Sequence, residues 1–528
     1  MSIHQLRHVG FARIVVCAAL LGSLHFLYLS RAAAARPNVP SANPEADQQS
    51  RITGVSIAGS QPAGTFGGVA YRRVWGTVSG IVAAREALLG FDQLTHDADG
   101  NYDYQSEFEL IAPEKPGTNS AIVIEAENRG RPVLLNALHE IEMAGPPSAT
   151  TDGGKPGNGF LFEHATSYAR VQWQTGVAAS VPENAEGVGE VIVRDFARML
   201  GGHTKLDTKP AGADFGPYRT LILGGISLSG FFIDTYIAEG FNADPVEGGV
   251  VFQGAIAVDG TGNWLALNSL AAAAGSKQFP YVIPDAKPLH ASEILGGHVS
   301  DPFYIDIANY TDFYRLRASL TDVDTKNPRM RRYDWPSAHA PAPIDQSGGS
   351  ARASRCNGGV LIDLNPIQHG SYLRAVTIEL ERELGVPSAQ KVPHLPPTTL
   401  FVLDPASSHT PNFNPLPGVR LSIPLIDENA QPIGGVRFPD VEVPVGRAVP
   451  VSLPPVTTSS IDATCGNLGG WKQFSAEELQ TRYGSQENYV KMYAQALDRQ
   501  IAQGFVLASD REEMLKIAAQ MYARKPAH

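Results

Sequence analysis

Cysteine is scarce in this chain, with three in 528 residues. Cys17 falls inside an apolar N-terminal run, which leaves Cys356 and Cys465 for the body of the protein. Two cysteines cannot make a disulfide scaffold, and no Cys, His or carboxylate spacing matches a metal site. His139-Glu140, for instance, lacks the second histidine of a zincin helix. Positive charge is also short: 42 Lys and Arg stand against 53 Asp and Glu, a net charge of −11. The densest basic cluster is Arg329-Met-Arg-Arg332, so there is no basic face for nucleic acid. The 52 glycines follow no period, which excludes collagen and repeat arrays. What is present is globular: 43% hydrophobic residues suffice for a sizeable core, with only 18% charged.

The N-terminus carries an address. Arg7 and Arg13 lead into the apolar run 14–29, and Ala32-Ala-Ala-Ala35 precedes Arg36-Pro37. This is the layout of a secretory signal peptide, expected over residues 1–35, with an uncleaved anchor as the alternative because the run is long. Either way the body lies beyond a membrane, secreted or periplasmic, and touches the membrane only if the segment stays uncleaved. In such a compartment Cys356 and Cys465 form a disulfide or remain two buried thiols. Residues 36–50 are polar and proline-containing and read as a flexible leader. Residues 51–528 show no clean linker and read as one elaborated domain.

The most informative segment is Leu221-Ile-Leu-Gly-Gly-Ile-Ser227-Leu-Ser229-Gly230. An apolar strand ends in two glycines, then a serine among small residues, then an amphipathic stretch. That is the pattern of a strand-turn-helix nucleophile elbow, with Gly225 two residues before Ser227. Small neighbours let the backbone turn sharply and aim the amide of Leu228 at an oxyanion. The usual second glycine is displaced, because Ser229 occupies its place and Gly230 comes one residue later.

The surroundings fit an α/β-hydrolase fold: a mostly parallel sheet with helices on both faces. Strands are expected over 66–82 and 102–111, and a buried parallel strand over 121–126. The loop after the last of these, Asn128-Arg-Gly130-Arg131, would supply a second oxyanion amide from Gly130 or Arg131. Helical periodicity covers 188–200 and ends at Gly201-Gly202. Further strands are expected over 219–223, 250–258, 303–307 and 330–333, with helices over 231–238, 313–320 and 372–384. Residues 260–300 suit a cap, 415–528 a C-terminal β-hairpin with helices, and Ser475-Ala-Glu-Glu478 and Ser509-Asp-Arg-Glu512 read as capping boxes. The hairpin is expected within 418–445, turning at residues 427–432.

A serine at such an elbow needs a histidine base and a carboxylate that fixes the base's tautomer, following in the order Ser, acid, His. Ser227, Asp312 and His339 come in that order, the last two each just past an expected strand. Ser229 and His369 are the rival serine and histidine, and Asp306, Asp322 and Asp324 the rival acids.

These segments resemble a family of bacterial α/β-hydrolase-domain proteins whose elbow reads Gly-x-Ser-Gln-Ser-Gly. The likeness runs through Glu127-Asn-Arg-Gly130, Gly225-Ile-Ser-Leu-Ser-Gly230 and Gly240-Phe-Asn242. It continues in Thr311-Asp-Phe-Tyr314, Arg332-Tyr333 with His339, and Arg482-Tyr-Gly-Ser485 with Tyr489-Val490. The chain departs from the family at Leu228 (usually Gln), Phe231 (Arg), Asp312 (Glu) and Ala340 (often Gly). The resemblance implies a serine hydrolase with no cofactor. With the N-terminal layout, the charge balance and the lack of ligand spacing, the chain reads as an exported enzyme acting on a small-molecule or polymeric carboxylic ester, with no metal or nucleic-acid partner. Amide or lactone cleavage uses the same groups. The altered elbow keeps open a binding protein that has lost activity, and the oligomeric state is left open.

Overall fold

The computed structural model describes residues 49–140, 157–262, 289–342, 353–408, 420–449 and 467–525, except 116, 208–211, 213, 214, 317, 322, 324 and 357–359. The expected signal peptide, nearly all of the leader, most of the cap, Cys465 and the side chain of Cys356 lie outside the described residues, as do Asp322 and Asp324. Among the described residues, no helix is long and apolar enough to cross a membrane.

The chain opens with β1 (Arg51–Phe66) and β2 (Val69–Val82), then β3 (Tyr102–Pro113) and β4 (Ala121–Ala126). Helix α1 (Val133–His139), β5 (Thr166–Val171), α2 (Val188–Leu200), β6 (Thr220–Ile226) and α3 (Leu228–Ala238) follow. Next come β7 (Gly254–Val258), β8 (Phe303–Asn309), the single turn α4 (Asp312–Arg315) and β9 (Met330–Trp335). The remainder is β10 (Ala353–Cys356), β11 (Val360–Leu364), α5 (Gly370–Glu383), β12 (Gly446–Val449), β13 (Gly470–Gln473), α6 (Ala476–Tyr483), α7 (Gln486–Gln503) and α8 (Arg511–Ala523).

Nine strands form one sheet in the order β1-β2-β3-β5-β4-β6-β7-β8-β9. The first pairs are antiparallel, and every pair from β5/β4 to β8/β9 is parallel. Parallel strands covered on both faces should be apolar throughout, and β4 and β6 are buried at every position. Their side chains alternate between two cores. Ile122, Ile124, Leu221 and Leu223 face one core with α2 and α3. Ala121, Val123, Ile222 and Ile226 face the other with α1, α5 and the C-terminal helices. Glu125, the one charge in β4, accepts the amides of Leu134 and Leu135 at the start of α1 and the Tyr168 hydroxyl. Burial nevertheless raises its pKa to about 7.

Several local expectations shift. The stretch 66–82 is not one strand: Gly67 and Gly68, both left-handed, form a two-residue hairpin turn between β1 and β2. The helix expected over 313–320 breaks after Arg315 and resumes as a 3₁₀ turn. The turn within 418–445 lies where expected, with Asp427 Oδ1 accepting the amides of Asn429 and Gln431. Among the described residues its arms make only isolated bridges, such as Leu403–Pro424 and Ile426–Pro432, because proline cannot donate to a ladder. Ser475 and Glu478 form the expected capping box, but Ser509 and Glu512 do not. There α8 begins at Arg511, and Asp510 pairs with Arg374 of α5 instead. Toward the C-terminal end of the expected cap, Leu289, Ala291 and Ile294 pack into the core beside α3.

Candidate active site

Ser227 lies between β6 and α3 with φ 66° and ψ −122°, a conformation L-residues rarely adopt and one that costs energy to hold. Its amide donates to Val258 O (2.9 Å), tying the turn to the end of β7. The spacing of small residues has a direct cause. A Cβ on Gly225 would lie 2.6 Å from Ser229 Cβ, so Ser229 packs inward and is fully buried. A Cβ on Gly230 would lie 2.6 Å from Val258 O and 2.8 Å from Gly260 N. The displaced glycine is thus the contact of α3 with the turn after β7.

The amide of Leu228 opens α3, where the first N–H groups have no acceptor within the helix. The loop after β4 is held beside it, because Asn128 Nδ2 donates to Ile226 O at 3.0 Å. Below the loop, Arg170 bonds Glu127 Oε2 (2.6 Å) and Gly130 O (3.3 Å). Within it, Arg129 and Gly130 are both left-handed, and Asn128 and Arg131 exchange backbone bonds of 3.0 and 3.2 Å. This corrects one expectation: the Arg131 amide is committed to Asn128 O and does not face an oxyanion. The Arg129 amide donates to Gln174 Oε1 (3.0 Å), which leaves Gly130 as the amide of this turn without an assigned acceptor among the described residues.

Asp312 and His339 meet. His339 Nδ1 is 3.2 Å from Asp312 Oδ1, and both side chains are buried. Asp312 Oδ2 accepts the Asn309 amide (2.8 Å), and the His339 amide donates to Thr311 Oγ1 (2.8 Å). Burial alone would raise the Asp312 carboxyl. Its bond and charge interaction with His339, with further bonds from Asp259 and the Asn309 amide, outweigh burial and hold it below the usual aspartate range. Burial lowers the His339 pKa and Asp312 opposes this; Arg315 and Arg129 push the same way as burial, and the ring stays on the low side.

The rivals have other partners. Asp306 points from β8 to Arg332 at 2.5 Å, and Arg332 also holds Asp334. His369 Nδ1 faces Ser337 Oγ at 3.2 Å, and burial depresses its pKa to about 4.

One residue escaped the sequence reading. Asp259 follows β7 with φ 58°, fully buried, and its Oδ2 lies 3.2 Å from the same His339 Nδ1. Asn309 Nδ2 donates to its Oδ1 at 2.7 Å. The available signal was an aspartate directly ending a buried strand and preceding Gly260, the same relation to a strand end that Ser227 has. Asp259, Asp312 and His339 are also the group among the described residues whose ligand atoms converge within 4.8 Å as a metal site would require. The convergence centres on His339 Nδ1, which has a carboxyl oxygen of each aspartate 3.2 Å away. Ser227, Asp259, Asp312 and His339 follow β6, β7, β8 and β9, adjacent parallel strands whose carboxyl ends share one sheet edge.

A family model described as an alpha/beta hydrolase domain matches residues 162–516. No curated protein is similar enough in sequence to count as a relative. Among solved structures, a CE15 glucuronoyl esterase from Teredinibacter turnerae is similar over 55% of this chain and 68% of its own, at 11% identity and TM-score 0.30. An α/β serine hydrolase without lid from Xanthomonas campestris is similar over 44% of this chain and 80% of its own, at 12% identity and TM-score 0.22. Esterase B from Lactobacillus rhamnosis is similar over 56% and 76%, at 10% identity and TM-score 0.23.

Proposed function

The chain belongs to the alpha/beta hydrolase domain family, and from that premise we propose that it is an exported serine hydrolase cleaving carboxylic esters through an acyl-enzyme. The observation that carries this reading is the His339 Nδ1–Asp312 contact at the sheet edge where Ser227 is held in a strained turn. A carboxylate on Nδ1 keeps the ring proton there and leaves the Nε2 lone pair as the base. The lowered pKa of His339 keeps that base neutral at neutral pH.

Ser227 Oγ attacks the ester carbonyl carbon while His339 Nε2 takes its proton. The amides of Leu228 and Gly130 receive the oxyanion; losing one such donor typically costs ~10²–10³ in rate. Collapse releases the alcohol, protonated by His339, and leaves the acyl group on Ser227. Water, deprotonated by the same nitrogen, then frees the acid. Asp312 stays ionised throughout. The substrate is a small-molecule or polymeric ester, and export removes residues 1–35.

A fluorophosphonate probe tests the reading directly. It labels the peptide containing Ser227 in the folded protein and not in Ser227→Ala. A folded wild-type protein that takes no label refutes the proposal. A panel of acyl esters of varied chain length then defines the substrate.

A further inference from the structure

His339 Nδ1 carries one hydrogen, yet two carboxyl groups lie 3.2 Å from it. The directional hydrogen bond runs to Asp312, and Asp259 stands beside it. Both acids are fully buried, and one residue clamps both: Asn309 gives its amide to Asp312 and its side chain to Asp259. The turn that presents Asp259 is built at a cost. Asp259 and the β-branched Thr261 are both left-handed. It is also braced from several sides, by the Asp259 amide on Ile307 O (2.7 Å) and by the bond from Thr321 Oγ1 to Thr261 O (2.5 Å). A strained, braced turn that puts a second carboxyl on an imidazole already served by one calls for a role.

We propose that Asp259 is a positioning residue of this site: hydrogen-bonded to Asp312, it holds that carboxylate against His339 and takes its place when Asp312 is lost. The inference rests on the serine-hydrolase reading above. Two adjacent buried carboxylates cannot both be ionised. Burial, and then the charge of Asp312, raise the Asp259 carboxyl well above the aspartate range, while Asp312 is held low. The pair therefore keeps one proton, on Asp259, which donates it to Asp312. The remaining carboxylate charge interacts with His339 and with the buried Arg315 guanidinium. When the imidazole takes the Ser227 proton, the charge that stabilises it is Asp312's, and the Asp259 proton stays where it is.

Replacing Asp312 with asparagine removes the charge that kept Asp259 neutral. With Arg315 still present, Asp259 then ionises and accepts the Nδ1 proton. Asp312→Asn should accordingly lose about 10²-fold in kcat, and Asp312→Asn/Asp259→Asn about 10⁴-fold, the usual result when the ring is left in the wrong tautomer. Asp259→Asn alone retains a donor to Asp312 and should lose less than about ten-fold. A merely structural role would not give this dependence of one substitution on the other. The low-field ¹H resonance of His339 Nδ1–H provides a readout independent of turnover, retained in each single variant and lost in the double one. The full chain is used, with folding checked by circular dichroism. If Asp312→Asn is already as inactive as the double variant and has lost the resonance, Asp259 does not take over and the proposal is wrong. If Asp259→Asn is the more damaging single change, the two roles are reversed. Failure of fluorophosphonate to label the wild type overturns the serine-hydrolase reading, and this assignment with it. Labelled wild type with a dead Asp312→Asn overturns this assignment alone.

Discussion

Gly230→Ala tests the local geometry most sharply. The added Cβ would lie 2.6 Å from Val258 O, 2.8 Å from Gly260 N and 2.9 Å from Gly260 Cα. All three are backbone atoms, so no side chain can swing aside. Contacts this short must open by about 0.5 Å or more, and overpacking of this kind costs ~1–3 kcal/mol, here toward the upper end. The atoms that must move belong to the turn bearing Asp259, and the other side of the contact is the helix that begins after Ser227. A displacement near 1 Å at a reacting group can cost ~10²-fold in rate. The expected result is a folded protein with Tm lowered by several degrees and fluorophosphonate labelling slowed by about 10²-fold or more. Gly201→Ala is the control: Gly201 is right-handed at the end of α2, and its Cβ would meet nothing closer than 3.5 Å. It should be neutral or stabilising by ~0.4–1 kcal/mol. A Gly230→Ala protein that labels and melts like the wild type would refute the close approach of α3 to the β7 turn, and with it the explanation of the displaced glycine.

Three further outcomes are expected. Ser227→Ala and His339→Ala abolish ester hydrolysis, whereas Ser229→Ala, truncating a side chain packed against Gly225, and His369→Ala keep much of it; steady-state rates on an acyl ester decide, and a dead Ser229→Ala with an active Ser227→Ala would move the nucleophile. Glu190 is fully buried, its carboxylate oxygens have no partner among the described residues, and burial raises its pKa to about 8. Both folded and unfolded chains hold this proton at low pH, but above the ordinary glutamate value only the unfolded chain releases it, so stability falls from about pH 5 to pH 8. Glu190→Gln should therefore gain Tm over the wild type progressively across that range, by a difference on the order of 3 kcal/mol, and parallel Tm–pH curves would sink the idea. Finally, the exported protein begins near Ala35 or Arg36 by intact mass and carries a Cys356–Cys465 bridge, a long loop closure contributing roughly 3–5 kcal/mol in the chain-entropy model; two alkylatable thiols in the unreduced, denatured chain would exclude the bridge.

The sheet was legible in the sequence because burial writes itself into short apolar runs. The β4 and β6 segments and α2 lie where their periodicities put them, since a two-residue or 3.6-residue repeat is a property of local backbone. The order of Ser227, Asp312 and His339, each just past a strand, was legible for the same reason: a parallel sheet turns order along the chain into neighbours along one edge. Sequence also offered Asp306 as an acid, and only the pairing of β8 with β9 directs it to Arg332. The failed Ser509 box has a similar origin, since a pattern of four residues cannot register that Asp510 finds Arg374 on a helix 136 positions earlier. Asp259 is the clearest case. It stands 80 residues before His339, and nothing local marks it apart from other aspartates at strand ends. Its proximity to Asp312 and its raised pKa arise only when β7, β8 and β9 lie side by side and exclude water, because proton affinity is set by what surrounds a carboxyl and not by its place in the chain.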